Sequence, residues 1–325
     1  MDRADHARLS RRSDRAMIER IPAADRKTWL ALRSHDVTAS VAGALLGVHP
    51  FVTPWALYAL KAGIITEDAE ENEAMQRGRL LEPVAVQLLR EQRPDWKISH
   101  NTGKSQVYLR DPDIRLGATP DVFVRTKKRE NGIVQLKSVE ASNFRKLWLT
   151  EDGEPDPPLW IYAQAIVEAH MTGADFAMIG ALVVSHGIDL HLVDVPLHAG
   201  VLDRIKAETA LFWKRIAEGD EPPRDYGADG ALIAGLYAGQ DNGREIDLSG
   251  DNRIHELLFE RAQRKAVLAA EAEALERIDY EIIDKIGDHE RAYVPGWRIS
   301  RQIVRRKAHW VDASEFRALR ISPAN

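Results

Sequence analysis

The chain has 325 residues, of which 44% are hydrophobic and 29% are charged, a composition typical of a protein that folds around apolar cores. It contains no cysteine, which excludes disulfide bonds, thiolate zinc sites and iron–sulfur clusters. The net charge of −5 does not indicate a nucleic-acid-binding protein, but a whole-chain sum cannot reveal a positive groove.

Membrane insertion and secretion are not predicted. No apolar run approaches the roughly eighteen residues that a membrane-spanning helix needs. The first residues, MDRADHARLSRRSDR, lack the apolar segment of a secretion signal. We therefore expect a cytoplasmic protein with no membrane partner.

The first third of the chain predicts helices. Residues 1–24 are polar and predict a flexible arm, and DRKTWLALRSHDVTAS then predicts a short amphipathic helix. VAGALLGV predicts a second helix, and Thr53 with Pro54 predicts the start of a third. ENEAMQRGRLLEPVAVQLLREQ also has helical spacing, although Pro83 predicts a kink or a fresh helix start.

Strand patterns follow between residues 95 and 140. KISHN, SQVYLR, DVFVR and GIVQLKSV predict strands, and the turn TKKRENG predicts that the last two form a hairpin. PPLWIYAQAIVEAHMTG then predicts a helix, FAMIGALVVS and DLHLVDVPL predict two more strands, and LHAGVLDRIKAETALFWKRIAEG predicts a long helix.

A change in composition predicts a domain boundary. GDEPPRDYGADG is rich in Gly, Pro and Asp, as linkers often are. We predict an arm over 1–24, a core over 25–219, a linker over 220–250 and an accessory region over 251–325. That region consists of a long helix with alternating charge, two strands and a closing helix.

Three polar residues on two predicted strands form a candidate site. Asp121 precedes VFVR, while Gln135 and Lys137 lie in the next strand and point to one face. With Glu82 from the preceding helix, these side chains offer the oxygen ligands that Mg²⁺ prefers, and Lys137 could act on a water or a phosphate. These residues alone leave open a structural salt bridge between Asp121 and Lys137.

The order of the motifs resembles the PD-(D/E)XK nucleases, and specifically the lambda-exonuclease or YqaJ-type viral recombinase family. The resemblance extends from about residue 28 to about residue 200. Its motifs, in chain order, are LRSHDVTASVAGALLG, PWALYALKAG, RGRLLEPVA, GATPDVFV, GIVQLKSV and IYAQAIVEAHMTGAD. Several motifs in the family's order are far more specific than any one of them.

The resemblance implies an α/β fold with a restriction-endonuclease-like core, in which helices flank a central mixed sheet, followed by a helical arm and a small α+β element. It implies that Glu82, Asp121 and Gln135 bind Mg²⁺, with Mn²⁺ as a possible substitute, and that Lys137 is the catalytic lysine. Gln135 departs from the family, which usually has a carboxylate at this position, and removes one negative charge from the metal site.

The resemblance also implies a pocket for the 5′-phosphate of a DNA end, formed by Arg33, Ser40, Thr119 and Gln164. A guanidinium, two hydroxyls and an amide are suitable phosphate donors. Other interpretations remain open: Ser40 as a helix cap, Arg33 as a partner of Asp36, and Gln164 as a satisfied amide on a helix face.

Lys127, Lys128 and Arg129, at the predicted hairpin turn, are further candidate DNA contacts. A solvated turn explains them more simply.

The function implied by the resemblance is 5′-to-3′ digestion of linear double-stranded DNA, which leaves 3′ overhangs for a single-strand-annealing recombinase. A ring-shaped homotrimer is implied in the same way. Two alternatives remain: a structure-specific or restriction-like endonuclease on the same core, and a DNA-end-binding protein whose site is weakened by Gln135.

Overall fold

The computed structural model describes residues 17–66, 72–239, 243–305, 310 and 319–321. The chain divides into two compact units, Met1–Tyr237 and Ala238–Asn325, and the first contains every residue predicted for the site. In the described ranges, no helix is both long enough and apolar enough to cross a membrane.

The helices of the first unit begin and end at residues whose side chains or backbone favour those positions. Asp25 and Thr53 cap the first and third helices by accepting from backbone N–H groups, and Gly173 and Gly219 end the sixth and seventh in left-handed conformations. The helices are α1 (Arg26–Ser34), α2 (Ala42–Leu45), α3 (Pro54–Lys61), α4 (Glu73–Gln92), α5 (Ala141–Leu147), α6 (Leu159–Thr172), α7 (Ala199–Glu218) and α8 (Gly230–Leu236).

Helix α4 is continuous through Pro83, so of the two alternatives predicted there the fresh helix start is wrong, and the kink stays a prediction. A proline inside a helix removes one backbone hydrogen bond. The apolar face of α4, with Ala85, Val86 and Leu89, is buried and compensates for that loss. Glu82 therefore lies on a continuous helix that packs against the sheet.

The strands form two sheets in this unit. They are β1 (Glu19–Pro22), β2 (Val37–Thr38), β3 (Lys97–His100), β4 (Val107–Asp111), β5 (Leu116–Ala118), β6 (Val122–Arg125), β7 (Asn131–Glu140), β8 (Phe176–Val184) and β9 (Ile188–Val195). The central sheet has the order β3-β6-β7-β8-β9, in which β6 and β7 form the predicted antiparallel hairpin and β7 and β8 are parallel. The predicted α/β class with a mixed sheet is confirmed.

The second sheet has the order β1-β4-β5-β2. Strand β1 lies in the stretch predicted as a flexible arm, so that prediction is wrong for residues 19–22, because Ile21 and its neighbours pair with β4. Residues 1–16 of the predicted arm lie outside the described residues. The parallel pairing of β2 with β5 places Thr38 opposite Gly117, just ahead of Asp121.

Helices cover both faces of the central sheet. Val134 and Leu136 of β7 face α4, where they pack in one apolar cluster with Val86. Ile133 and Val139 belong to a cluster on the other face, together with residues of α6. Because side chains alternate along a strand, Gln135 and Lys137 point to the α6 face with Ile133.

The first unit continues past residue 219, where the predicted core ends. Thr53 Oγ1 donates to Asp229 Oδ1 over 2.6 Å, and Trp55 Nε1 donates to Glu221 Oε2 over 3.2 Å. Residues 220–237 were predicted as part of a linker. They pack instead on the core, where they accept hydrogen bonds from Thr53 and Trp55. The other predicted domain limits stay predictions.

The second unit contains a long helix and two strands, as predicted, and the two strands form a hairpin. Helix α9 (Asn252–Ile286) precedes β10 (Arg291–Val294) and β11 (Trp297–Ser300), which pair antiparallel. The predicted closing helix falls mainly on residues outside the described ranges.

Candidate active site

Asp121 and Gln135 meet where β6 begins. Asp121 Oδ2 accepts from Gln135 Nε2 over 2.6 Å and from the backbone N–H of Leu136 over 2.7 Å. Asn101 fixes the backbone at Pro120 and Asp121. Its Nδ2 donates to Pro120 O and its backbone N–H donates to Asp121 O, each over 2.8 Å. The antiparallel register of β6 and β7 thus brings together the two predicted strand residues.

Lys137 contacts helix α6. Its Nζ donates to Gln164 Oε1 over 2.9 Å and lies 5.2 Å from the centre of the Trp160 ring. Among the described residues, the direct salt bridge between Lys137 and Asp121 that the sequence left open is absent. The lysine is instead held by an amide oxygen.

Burial opposes charge on both of these groups. Burial, and secondly the nearby Glu82 carboxylate, raise the pKa of Asp121 to about 7, while Lys137 and the Leu136 N–H oppose that rise. Burial lowers the pKa of Lys137, and the carboxylates of Asp121, Glu168 and Glu82 oppose that fall. The site therefore holds interacting charges in surroundings that solvate them poorly.

Glu82 has a partner that the sequence analysis did not identify. Its Oε1 lies 2.5 Å from His100 Nε2, and His100 is the last residue of β3. The sequence around His100 does not predict this contact, because the contact depends on how α4 packs across the sheet.

Glu168 on α6 is a second residue that the sequence analysis missed. Only 1% of it is exposed; its Oε1 accepts from Gln164 Nε2 over 2.8 Å, and its Oε2 has no protein partner. Burial, and secondly Asp121, raise the pKa of Glu168 well above its usual value. A signal was available: Glu168 lies four residues after Gln164 in an apolar helix and so shares its face.

Three of the predicted phosphate ligands form one connected group. Arg33 Nη2 donates to Ser40 Oγ over 3.1 Å, and its guanidinium lies 4.3 Å above the Trp29 ring. Trp29 Nε1 in turn donates to Thr119 Oγ1 over 3.0 Å. The fourth, Gln164, lies on α6 and bridges Lys137 and Glu168, so both ends of its amide have a protein partner, as the interpretation of a satisfied amide on a helix face expects.

All eight predicted catalytic and phosphate-binding residues line one cavity of about 760 Å³. They are Arg33, Ser40, Glu82, Thr119, Asp121, Gln135, Lys137 and Gln164. Residues separated by more than a hundred positions in the chain therefore share one concave surface, as substrate sites do.

The basic residues at the hairpin turn lie elsewhere. Lys127, Lys128 and Arg129 are exposed and do not line this cavity, and Lys127 Nζ lies 2.5 Å from Asp95 Oδ1. Their contact with DNA stays a prediction.

The oxygen atoms around Asp121 are suitable donors for a divalent cation. In the described part of the chain, no three His, Cys, Asp or Glu side chains are placed to hold a metal ion by themselves. A cation at this site would therefore also need the amide oxygen of Gln135. That Oε1 atom is buried and has no protein partner. Carboxylate and amide oxygens are ligands that Mg²⁺ accepts, so this donor set fits the ion.

Known proteins resemble the chain in sequence and in structure. The YqaJ protein of Bacillus subtilis (strain 168) is 24% identical over 279 residues, which cover 83% of each chain. An alkaline exonuclease from Laribacter hongkongensis is 20% identical with a TM-score of 0.48, over 64% of this chain and 98% of that chain. A phage-related exonuclease from Haemophilus somnus 129PT is 13% identical with a TM-score of 0.41, over 56% and 94% of the two chains.

The family model of the YqaJ-like viral recombinase domain matches residues 28–175. This range begins in α1, the helix that contains Arg33, and ends after α6. It therefore includes all of the predicted site residues that line the cavity. Residues 28–175 are therefore similar to the YqaJ-like viral recombinase domain, whose family model they match.

Proposed function

We propose that this chain is a metal-dependent deoxyribonuclease that digests linear duplex DNA from its ends, in the 5′-to-3′ direction, and leaves 3′ overhangs. One observation carries the proposal. Within the matched domain, Asp121, Gln135 and Lys137 converge in a cavity whose wall also contains a guanidinium and hydroxyl groups suited to phosphate.

Different residues of the cavity would have different roles in phosphodiester hydrolysis. Glu82, Asp121 and Gln135 would hold Mg²⁺, or Mn²⁺ in its place, and the ion would supply a Lewis acid for the scissile phosphate. Lys137, oriented by Gln164, donates a hydrogen bond to the phosphate or to the attacking water and stabilises the negative charge that develops.

The group of Arg33, Ser40 and Thr119 would bind the 5′-phosphate. Trp29 connects Arg33 to Thr119, and this contact fixes the guanidinium before any phosphate arrives. A fixed 5′-end would place the adjacent phosphodiester at Lys137, which accounts for the proposed polarity. The family resemblance further supports a single-strand-annealing partner and a ring-shaped homotrimer.

The test compares linear duplex with a covalently closed circle of the same sequence, each with Mg²⁺, with Mn²⁺ and with a chelator. We expect progressive loss of the linear DNA only with a metal ion, and no loss of the circle. Cleavage of the circle would favour the restriction-like endonuclease, and cleavage with the chelator would contradict metal dependence.

A second candidate is a DNA-end-binding protein without turnover, and one observation favours it. Gln135 turns its amide nitrogen toward Asp121, so a cation shared by the two side chains requires that amide to rotate. Tight binding of linear ends, with no cleavage at any metal concentration, would support this candidate over the nuclease.

A further inference from the structure

We infer that Glu168 is a positioning residue, which acts through the amide of Gln164 to orient the Lys137 ammonium toward the reacting phosphate. The inference rests on the proposed nuclease function and deepens it. Glu168 does not line the cavity, so its effect must pass through a residue that does.

The contacts form a chain from the helix interior to the cavity. Glu168 Oε1 accepts from Gln164 Nε2 over 2.8 Å, and Gln164 Oε1 accepts from Lys137 Nζ over 2.9 Å. Glu168 and Gln164 lie one helical turn apart on α6, while Lys137 lies on β7. The chain thus connects a rigid helix to the mobile end of a long lysine side chain.

The chemistry of the three groups fixes one orientation of the central amide. In the observed arrangement, the Glu168 Oε1 atom accepts a hydrogen bond and the Lys137 Nζ atom donates one. The amide of Gln164 satisfies both neighbours only when its nitrogen faces Glu168 and its oxygen faces Lys137. With a side chain at 168 that can donate to the amide oxygen of Gln164, the amide would no longer have this single orientation.

Packing alone does not explain an acid at position 168. A buried carboxylate destabilises the fold unless its hydrogen bonds are satisfied, and Glu168 leaves Oε2 without a protein partner. Position 135, beside Asp121, contributes an amide and not a carboxylate. Asp121 and Glu168 are the two acidic groups that act most strongly on Lys137, and Glu168 does so from α6.

The first test measures how far the Lys137 side chain is restrained in the metal-free protein, independently of nuclease activity. Each lysine is modified by reductive methylation, and its rate is followed by peptide mass spectrometry. For Glu168→Gln we expect the rate at Lys137 to rise at least about threefold, with the other lysines unchanged as internal standards. An unchanged rate at Lys137 would overturn the inference.

The second test measures coupling through Gln164 by a double-mutant cycle on linear duplex. We expect Glu168→Gln to lower the single-turnover cleavage rate about tenfold without changing the Kd for DNA ends. In a Gln164→Leu background, the same change should lower the rate less than about twofold, because the connecting amide is already gone. Equal effects in both backgrounds would show that Glu168 does not act through Gln164.

A matched control separates positioning from folding. Asp229 is also a buried carboxylate, it accepts from Thr53, and neither residue lines the cavity. Asp229→Asn should lower the melting temperature and leave Lys137 labelling unchanged, whereas Glu168→Gln should melt no lower than wild type. A lower melting temperature for Glu168→Gln would make Glu168 a structural residue and overturn the inference.

If wild type cuts nothing while the labelling prediction holds, the proposed function fails and the positioning of Lys137 stands.

Discussion

Gln135 and Asp121 share a hydrogen bond of 2.6 Å in which the amide nitrogen donates to the carboxylate. The same carboxylate oxygen accepts from the backbone of Leu136. The amide oxygen of Gln135 is left buried and without a protein partner. In the metal-free fold, the glutamine therefore stabilises Asp121, whereas a glutamate at 135 would repel it.

Gln135→Glu should shift the stability of the protein in opposite directions with and without metal. Two unit charges about 4 Å apart interact by about 4 kcal/mol at an effective dielectric constant of about 20, before desolvation, and a dication doubles the attraction. We expect the melting temperature of Gln135→Glu to lie below that of wild type in chelator and above it in saturating Mg²⁺. Gln135→Glu should also reach its half-maximal cleavage rate at a lower Mg²⁺ concentration.

The steric control is Gln135→Met, which keeps the approximate size but offers neither charge nor an amide. It should lose metal-dependent stabilisation altogether. Coincident Mg²⁺ titration curves for wild type and Gln135→Glu would show that residue 135 is not a ligand and that the nuclease motif does not include this position.

Local patterns predicted the parts of the fold whose partners are close in sequence. The β6–β7 hairpin follows from two apolar runs around a polar turn, and α6 follows from an apolar stretch that ends at Gly173. Strand β2 has two residues, and its pairing with β5 depends on contacts across the chain. Its pattern is too short to predict. The packing of Asp229 on Thr53 joins residues 176 positions apart, which no local pattern shows.

The site was predictable to a similar extent and for the same reason. Strand alternation placed Gln135 and Lys137 on one face, and the structure agrees. His100 was missed because it contacts Glu82, which lies on another element. Glu168 was missed because it acts on Lys137 only through Gln164. Of these two, Glu168 had a readable signal, since an acid inside an otherwise apolar helical face requires an explanation.

Lys137→Met should abolish cleavage while it leaves the fold and DNA binding nearly intact. Methionine replaces the aliphatic part of the lysine but cannot donate to the phosphate or the attacking water. We expect the single-turnover rate to fall at least about a thousandfold, with the Kd for duplex ends within about threefold of wild type. Lys214→Met, at an exposed position of α7 that does not line the cavity, is the control and should cut normally. Near-native turnover by Lys137→Met would remove this lysine from the mechanism.

Arg33→Lys should reduce the preference for 5′-phosphorylated ends. Lysine keeps the positive charge but loses the planar fork that donates to Ser40 and stacks on Trp29. Wild type should digest 5′-phosphate ends faster than 5′-hydroxyl ends, and the ratio of these two rates should fall in Arg33→Lys. Equal rates on both ends in wild type would contradict the phosphate pocket itself, whatever the variant does.

Two truncations should test where the first unit ends. A fragment of residues 1–237 keeps the contacts of Asp229 with Thr53 and of Glu221 with Trp55, and we expect it to fold with the cavity intact. A fragment of residues 1–219 loses both, and each unsatisfied buried partner costs about 1–3 kcal/mol. Its melting temperature should therefore be clearly lower, although every residue of the proposed site is still present. Mg²⁺-dependent stabilisation should persist in the longer fragment. If 1–237 does not fold, residues beyond Tyr237 belong to the folding unit of the core. If the two fragments melt together, the packing of residues 220–237 contributes nothing to stability.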